Sequence, residues 1–175
     1  GYYLTGKDLV RKSNETDALN LARENFENAI AEDSRFVQAY SGLCSTDIFL
    51  YESSKNPTLF ESAERACNRA LTLEPKDAEA YLALGNLYLY SSQHQLSELQ
   101  LKKVLSLEPN NADAHIAMGY LKSELQKYDD ALFEFNLAVE SQPGYWRSFN
   151  ARGTFYYEQG DYPSAIEDFA VVTVL

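Results

Sequence analysis

Residues 75–92 read PKDAEAYLALGNLYLYSS, and residues 109–126 read PNNADAHIAMGYLKSELQ. Both stretches open with a proline, and a third proline, Pro143, follows at the same interval, so the three prolines are equally spaced (109 − 75 = 143 − 109). A proline cannot continue a helix, and it restricts the residue before it. The spacing therefore predicts a repeating unit, with a proline between successive units.

Each unit contains two amphipathic stretches of about four turns, separated by a break. This pattern predicts a hairpin of two helices, and because one hairpin cannot bury its apolar face alone, neighbouring hairpins are expected to stack. Three first helices carry a glycine where a side chain would hold two helices apart. We expect each glycine to pack against a small residue of the second helix, in the pairs Gly85 with Ser97, Gly119 with Ala131, and Gly153 with Ala165.

The motif Tyr81-x-x-Leu84-Gly85-x-x-Tyr88, together with Ala131-x-x-x-Phe135-x-x-Ala138 one unit later, resembles the tetratricopeptide repeat (TPR). The resemblance extends over nearly the whole chain and is strongest from Tyr40 onward. It implies an all-α fold, a right-handed superhelical TPR solenoid of about five helical hairpins (an α-α superhelix), forming a single domain over residues 1–175. The implied units are about 1–34, 35–76, 77–110, 111–144 and 145–175, with the last one truncated.

A narrower similarity concerns the stretch from Ala29 to Pro75, which looks like the TPR region of bacterial signalling and regulatory proteins. In those proteins the repeats accompany a DNA-binding, cyclase or kinase domain. The similarity implies that this chain is the sensory or docking part of a larger regulator, in the cytoplasm or the periplasm. The chain opens on Gly1 without a methionine, which is typical of a processed or excised piece.

The first two units depart from the regular spacing. In the first, polar residues from Ser13 to Asp17 predict a turn before the second helix. In the second, the interval from Ala22 to Ala63 is longer than the interval between successive prolines (63 − 22 against 109 − 75). We expect the surplus to form an extended hairpin loop between Leu50 and Leu59, closed by Asn56 as N-cap and Pro57 as first helical residue.

The charge balance argues against two classes of partner. Lysines and arginines number 15 against 26 acidic residues, a formal net charge of −11, and no cluster of basic residues occurs. Nucleic acids and anionic membranes are therefore poor partners, since both reward a clustered positive face. The long uncharged stretch from Ala80 to Ser97 contains turn residues at its middle, so we interpret it as two helices rather than a membrane span.

Catalytic chemistry is not indicated by any motif. His94 and His115 are the two histidines, and neither has cysteines or carboxylates at metal-ligand spacing. His115 falls at the packing position of Tyr81, so a core histidine is the favoured interpretation. No phosphate-binding, nucleophile or zinc motif occurs. We expect no enzyme activity, no metal and no cofactor.

Two cysteines, Cys44 and Cys67, fall on the paired helices of one repeat. They are either two buried thiols acting as small apolar side chains or a disulfide that needs an oxidising compartment. The spacing does not decide between them.

The resemblance also implies a binding surface, because in TPR proteins the first helices line a concave groove for a peptide or partner protein. Carried over unit by unit, the groove positions here are Phe49, Leu82, Asn86, Tyr90, Ile116, Tyr120, Arg147, Asn150 and Tyr157, with Leu89 beside them. Family members that clamp the carboxylate tail of a chaperone carry lysines or arginines in this groove, whereas Leu82, Ile116 and Asn150 stand there. An apolar anchor segment is the expected ligand. The alternative is a solvated inner face.

The last unit suggests a second possibility. Arg152 stands where Leu43, Leu84 and Met118 pack, which predicts a less buried unit or an arginine that snorkels. The chain then ends in the apolar run from Val171 to Leu175. Such an end is typical of a structural scaffold that self-associates, so a homo-oligomer is the alternative to peptide recruitment.

Overall fold

The structure is a computed structural model that describes residues 1–12 and 15–175. Within these residues it contains ten α-helices and no strand, and the chain divides into two compact units, residues 1–93 (unit 1) and 94–175 (unit 2). The helices are α1 (Tyr2–Lys12), α2 (Thr16–Glu32), α3 (Val37–Ser54), α4 (Pro57–Leu73), α5 (Ala78–Tyr90), α6 (His94–Leu107), α7 (Ala112–Glu124), α8 (Tyr128–Ser141), α9 (Trp146–Glu158) and α10 (Tyr162–Val172).

Unit 1 consists of two helical hairpins, α1–α2 and α3–α4, followed by α5. Its core is lined by small and apolar residues at the predicted repeat positions, including Ala22, Phe26, Ala63 and Leu84. Asp77 caps α5, since its carboxylate accepts a hydrogen bond from the Ala80 N–H at 3.0 Å. The predicted turn at Ser13 and Asn14 lies outside the described residues.

The surplus residues of the second repeat lengthen its helices rather than its loop, so the predicted extended loop is wrong. Helix α3 has 18 residues and α4 has 17, against 13 in α5, and only Lys55 and Asn56 separate them. The physical reason is burial, because Tyr51, on the added turn of α3, is only 9% exposed. Its ring packs edge-on against Phe60 of α4, with the ring centroids 5.6 Å apart. The predicted cap is correct, since the Asn56 side chain accepts from the Thr58 N–H.

Unit 2 consists of α6 packed against α7, and of two hairpins, α7–α8 and α9–α10. A core cluster of Ala131, Phe135, Ala151 and Phe155 joins the hairpins. Asn111 caps α7 through the Ala114 N–H, and Asp161 caps α10 through the Ser164 N–H. Side-chain caps therefore mark the starts of α4, α5, α7 and α10, whereas α2, α3, α8 and α9 begin without one.

Gly119 and Gly153 face phenylalanine rings, so the predicted small-against-small pairing is wrong in unit 2. A Cβ atom built on Gly119 would lie 2.6 Å from the Phe135 ring, and one on Gly153 would lie 2.9 Å from the Phe169 ring. The ring stands one helical turn beyond the predicted alanine, and the missing side chain makes room for it. In unit 1 the equivalent contact within a hairpin is between Gly6 and the Phe26 ring at 3.0 Å, and Gly42 of the next hairpin approaches the same ring at 2.6 Å.

A disulfide joins α3 to α4 in unit 1. Cys44 and Cys67 are bonded to each other, their Cα atoms lie 5.3 Å apart, and both residues are fully buried. That Cα separation is within the ordinary range for a disulfide. Of the two alternatives that the sequence left open, the structure contains the crosslink.

Candidate functional site

The predicted binding residues of unit 1 lie on α3 and α5, which pack beside one another. Phe49 is 46% exposed, and Leu82, Asn86 and Tyr90 are half-buried. Leu82, Asn86 and Tyr90 are spaced by four residues, which places them on one side of α5. We call Phe49, Leu82, Asn86 and Tyr90 the unit 1 face. Leu89 is only 5% exposed and belongs to the core, so its predicted place in the groove is wrong.

Lys55 fixes one end of the unit 1 face, and sequence reasoning missed it. This residue adopts a left-handed conformation at the end of α3 (φ 52°), and its Nζ donates a hydrogen bond to the Tyr90 carbonyl at 3.1 Å. The ammonium also lies 5.3 Å from the Tyr51 ring centroid and 5.7 Å from that of Tyr90. Lys55 therefore ties the added turn of α3 to the end of α5.

The predicted residues of unit 2 lie on α7 and α9, which also contact each other. We call Ile116, Tyr120, Arg147, Asn150 and Tyr157 the unit 2 face. Arg147, Asn150 and Tyr157 are exposed, the last at 61%, whereas Ile116 and Tyr120 are half-buried.

Ile116 and Tyr120 present only part of their surface to a ligand. Both pack against the core cluster of unit 2, and the Tyr120 ring packs edge-on against Phe135, with the ring centroids 5.3 Å apart. Burial, followed by the charge of Glu158, raises the pKa of the Tyr120 hydroxyl. These two residues are therefore the rigid part of the unit 2 face.

Tyr157 is the exposed counterpart of that half-buried pair. Its ring packs edge-on against Tyr162, the first residue of α10, at 5.5 Å, and both rings are more than half exposed. The pair lies where α9 ends and the turn to α10 begins. Tyr157 consequently extends the unit 2 face toward this turn.

A polar and charged cluster of Asp113, Tyr145 and Arg147 lies at the start of the unit 2 face. The Tyr145 hydroxyl donates to the Asp113 carboxylate at 3.0 and 3.1 Å, and Arg147 contacts both the Tyr145 oxygen (3.2 Å) and Asp113 (3.6 Å). Burial and the Asp113 carboxylate raise the pKa of Tyr145. Sequence reasoning named Arg147 only, although Asp113 stands one repeat period earlier and was detectable from that spacing.

Two partly buried ion pairs, each with a buried carboxylate, lie away from these faces. Arg152 donates to both oxygens of Asp168, at 2.8 and 2.7 Å, and to Asn136 at 2.8 Å, so the arginine predicted to snorkel is held by a buried carboxylate. In unit 1, Arg23 donates to Asp47 at 2.8 Å, and Asp47 is fully buried. Burial raises the pKa of Asp47 in spite of the hydrogen bonds from Ser62 and Arg23.

Both histidines pair with glutamates of unit 2. His94 Nε2 lies 2.7 Å from Glu124, and the buried His115 lies 2.7 Å from Glu134, as expected of a core histidine. Residues 1–12 and 15–175 contain no group of three or more metal-ligating side chains. None of the described helices is long and apolar enough to cross a membrane.

The comparisons with known proteins agree with the hairpin architecture. Residues 66–98 and 101–133 match the family model of the tetratricopeptide repeat. The fold is similar to that of TTC0263, a thermophilic TPR protein of Thermus thermophilus, with a TM-score of 0.84, 18% identity, and coverage of 98% of this chain and 88% of the other. No curated protein sequence matches the chain significantly.

Two further solved structures are similar. One is PilF of Pseudomonas aeruginosa, with a TM-score of 0.73, 14% identity, and coverage of 98% of this chain and 73% of the other. The second is YrrB, described as a TPR protein with an unusual peptide-binding site, with a TM-score of 0.58, 20% identity, and coverage of 98% and 82%.

The repeat motif and the stacked hairpins define a class of helical-repeat proteins whose members bind proteins or peptides. Residues 66–98 and 101–133 of this chain match tetratricopeptide repeats, and the predicted fold class, an all-α TPR solenoid of helical hairpins, is confirmed.

Proposed function

We propose that this chain is a non-catalytic interaction module that binds a partner peptide or protein on the unit 1 and unit 2 faces. The observation that carries the proposal is the chemistry of these faces. Each combines aromatic or aliphatic side chains with an asparagine, namely Asn86 in unit 1 and Asn150 in unit 2. Apolar side chains anchor a ligand in such a surface, and amides bond its backbone.

The proposed partner segment is recognised through apolar side chains rather than through a terminal carboxylate. On the unit 2 face the one arginine, Arg147, is already engaged by Asp113 and Tyr145. Leu82, Ile116 and Asn150 offer no positive charge. The partly buried rings of Tyr120 and Tyr90 supply rigid contact area at low entropic cost, as aromatic hot spots do.

Similarity to other proteins supports a proposal about the larger protein in which this chain works. The solved structures with this fold include bacterial TPR proteins, and YrrB is described as having a peptide-binding site. These likenesses support a bacterial module that docks a partner, and the stretch from Ala29 to Pro75 supports a place in a larger regulator. The binding faces are proposed to be the working part of that regulator.

The test is selection of peptides from a displayed library with the whole chain as bait, followed by affinity measurements on three proteins. The first is the parent, and the second is the double variant Asn150→Glu/Tyr157→Ala, which alters exposed residues of the unit 2 face. The third is Phe133→Ala, a matched control on α8 with the same 61% exposure as Tyr157. All three are expected to melt at similar temperatures, because the altered side chains are exposed.

We expect selected peptides to lose about tenfold or more in affinity for the double variant, since loss of a hot-spot side chain costs about 2 kcal/mol or more and a factor of ten corresponds to ~1.4 kcal/mol. Binding to the Phe133→Ala control should stay within about twofold of the parent. Equal losses in both variants, or none in the double variant, would move the binding surface away from the unit 2 face.

Self-assembly is the second candidate, and one observation favours it. Large apolar side chains are exposed at the end of unit 2, with Ile166 at 67%, Val174 at 85% and Leu175 at 57%. Exposed apolar surface of this kind marks interaction sites in soluble proteins. In this alternative the chain is a scaffold that associates with copies of itself through that end.

A further inference from the structure

In three repeats, one side chain of the first helix forms a hydrogen bond to a backbone carbonyl of the turn before that helix. We call this hydrogen bond the tie. The hydroxyl of Tyr40 donates to the Ser34 carbonyl at 3.3 Å, and that of Tyr81 donates to the Pro75 carbonyl at 3.4 Å. In the next repeat His115 takes the tyrosine position, and its Nε2 lies 3.0 Å from the Pro109 carbonyl. The reach is six residues in every case.

The exchange of tyrosine for histidine changes how the tie responds to pH. A tyrosine hydroxyl keeps its proton up to about pH 10, whereas an imidazole gains or loses one near neutrality. His115 is 7% exposed, so its ring has little access to water as a substitute partner. Among the three repeats, the tie in unit 2 is therefore the pH-sensitive one.

Both ring nitrogens of His115 face acceptors. Nδ1 lies 2.7 Å from the Glu134 carboxylate, and Nε2 lies 3.0 Å from the Pro109 carbonyl oxygen. Neither acceptor can donate a proton when Glu134 is ionised, so the two bonds require a proton on each nitrogen. The arrangement fits the imidazolium form and leaves the neutral ring one donor short.

The Pro109 bond is the one that the neutral ring gives up. A neutral imidazole has a single N–H, and hydrogen bonds to a carboxylate are stronger than those to a neutral carbonyl. The proton therefore stays on Nδ1 against Glu134, which is itself largely buried, with a side chain 18% exposed. Nε2 then presents a lone pair to the Pro109 oxygen, and the two repel each other.

The charged groups on the other elements packed against α7 are engaged elsewhere. On α6, Glu98 pairs with Lys122 at 3.0 Å. On the α9 side, Tyr145 and Arg147 contact Asp113, and in the turn before α7 the Glu108 carboxylate accepts from Asn111 at 2.7 Å. Among the described residues, Glu134 of α8 is thus the charged group that faces the ring.

We propose that protonated His115 holds the turn at residues 108–111 against α7, and that this turn is released from the helix as the pH rises. The turn matters because it lines a depression of about 330 Å³ together with Asp113 and Gln142, at the start of the unit 2 face. A second step rests on the proposed function: ligands that contact this start of the face bind more tightly when the turn is held.

The direction of the effect follows from linkage. Burial is the largest single influence on the pKa of His115 and lowers it, but the bonds to Glu134 and Pro109 and the Glu134 charge together raise it above the ordinary value of 6.5. A raised folded-state pKa means that the tie contributes fully below pH 6.5. That contribution is lost as the pH rises through the folded-state pKa.

The experiment measures the turn itself, without a ligand. The Asn111 amide donates to the Glu108 carbonyl within the turn at 3.1 Å, so its hydrogen-exchange protection, corrected for intrinsic rates, reports whether the turn is held. Measurements at about pH 5.5 and about pH 8.5, on either side of the ordinary imidazole range, compare three proteins. They are the parent, His115→Tyr, which installs the residue of the other repeats, and His94→Gln as the histidine control.

We expect severalfold lower protection of Asn111 at the higher pH in the parent and in His94→Gln, and no such change in His115→Tyr. Nitrogen NMR of the parent ring should show Nε2 losing its proton while Nδ1 keeps it, a readout that does not depend on how the variants fold. Unchanged Asn111 protection in the parent, an equal fall in His115→Tyr, or loss of the Nδ1 proton first would overturn the proposal.

Affinity for a selected peptide at the two pH values tests the second step separately. Tighter binding at about pH 5.5 in the parent, abolished in His115→Tyr, supports coupling of the turn to the face. Binding that is equal at both pH values, with Asn111 protection still pH-dependent, rejects the coupling alone. Absence of any peptide for the unit 2 face rejects the proposed function and leaves the exchange result standing.

Discussion

Single side chains decide how closely the helices of each hairpin approach. Gly119 and Gly6 leave the space that the rings of Phe135 and Phe26 occupy, and both rings are almost completely buried. In the last hairpin the bidentate pair of Arg152 and Asp168 replaces the apolar packing of Leu84 and Met118. Loss of one partner of such a pair is expensive, because it leaves the remaining charge buried and unpaired.

The residue-scale prediction concerns Gly119→Ala. The new methyl group would lie 2.6 Å from a Phe135 ring that is 0% exposed and packed against Tyr120 and Phe155, so the ring cannot move aside without strain. Overpacking of this kind costs up to ~3 kcal/mol, whereas the better helix propensity of alanine returns about 1. We expect a net loss of about 1–2 kcal/mol in the free energy of unfolding, measured by urea denaturation.

Gly144→Ala is the matched control for that substitution. A Cβ atom there meets nothing within 4 Å, so its effect should stay within about 0.5 kcal/mol. A Gly119→Ala protein as stable as this control would show that the ring contact does not limit the packing of α7 on α8.

Among the secondary-structure elements, the hairpin of α3 and α4 differs most from its neighbours. Its two helices are longer than those of the regular repeats, a two-residue turn joins them, and a disulfide crosslinks them at fully buried positions. Lys55 in the turn also bonds to the end of α5. The second repeat is therefore the most constrained hairpin of unit 1.

The element-scale prediction is that removal of the disulfide destabilises unit 1. The cysteines are 23 residues apart, and a crosslink closing a loop of this size contributes ~3 kcal/mol through the unfolded chain. We expect Cys44→Ala/Cys67→Ala to lose about 2–4 kcal/mol in the free energy of unfolding, compared with the oxidised parent.

Thiol titration of the denatured parent, purified without reductant, is the accompanying measurement. It should find no reactive thiol, since the structure contains no free cysteine among the described residues. Two reactive thiols per chain would contradict the crosslink. Because disulfides persist in oxidising compartments, a confirmed crosslink also favours a periplasmic or otherwise extracytoplasmic site over the cytoplasm.

The whole molecule combines a strong negative charge with exposed apolar groups at one end. Its formal charge of −11 opposes association of copies, since like charges repel at low ionic strength. Ile166, Val174 and Leu175 favour association, because their exposed apolar area leaves water when copies meet. The balance between these two effects decides between recruitment by a monomer and self-assembly.

The prediction at this scale is monomeric behaviour at low salt in sedimentation velocity. If the end of unit 2 mediates assembly, dimers should form as salt screens the charge, and Ile166→Glu/Val174→Asp should abolish them. Phe133→Asp, at a position that is 61% exposed on α8, is the control and should leave dimerisation unchanged. A monomer at every salt concentration would eliminate the scaffold and leave the binding module.

The sequence by itself determined the helices and their arrangement in hairpins. The constant proline spacing and the cap Asn56 are local signals, because a helix begins and ends according to its nearest neighbours along the chain. The positions of the groove residues also follow from the repeat period, and their role remains a prediction.

Only the tertiary structure decided which side chains meet. The surplus residues are helical because Tyr51 packs against Phe60. The glycines of unit 2 contact phenylalanine rings because Phe135 and Phe169 extend toward them from the second helix of each hairpin. The hydrogen bond between His115 and Glu134 likewise joins residues that are 19 apart and lie on different helices. A repeating sequence specifies where a helix lies, but burial and partner choice depend on the three-dimensional packing of groups that no local pattern brings together.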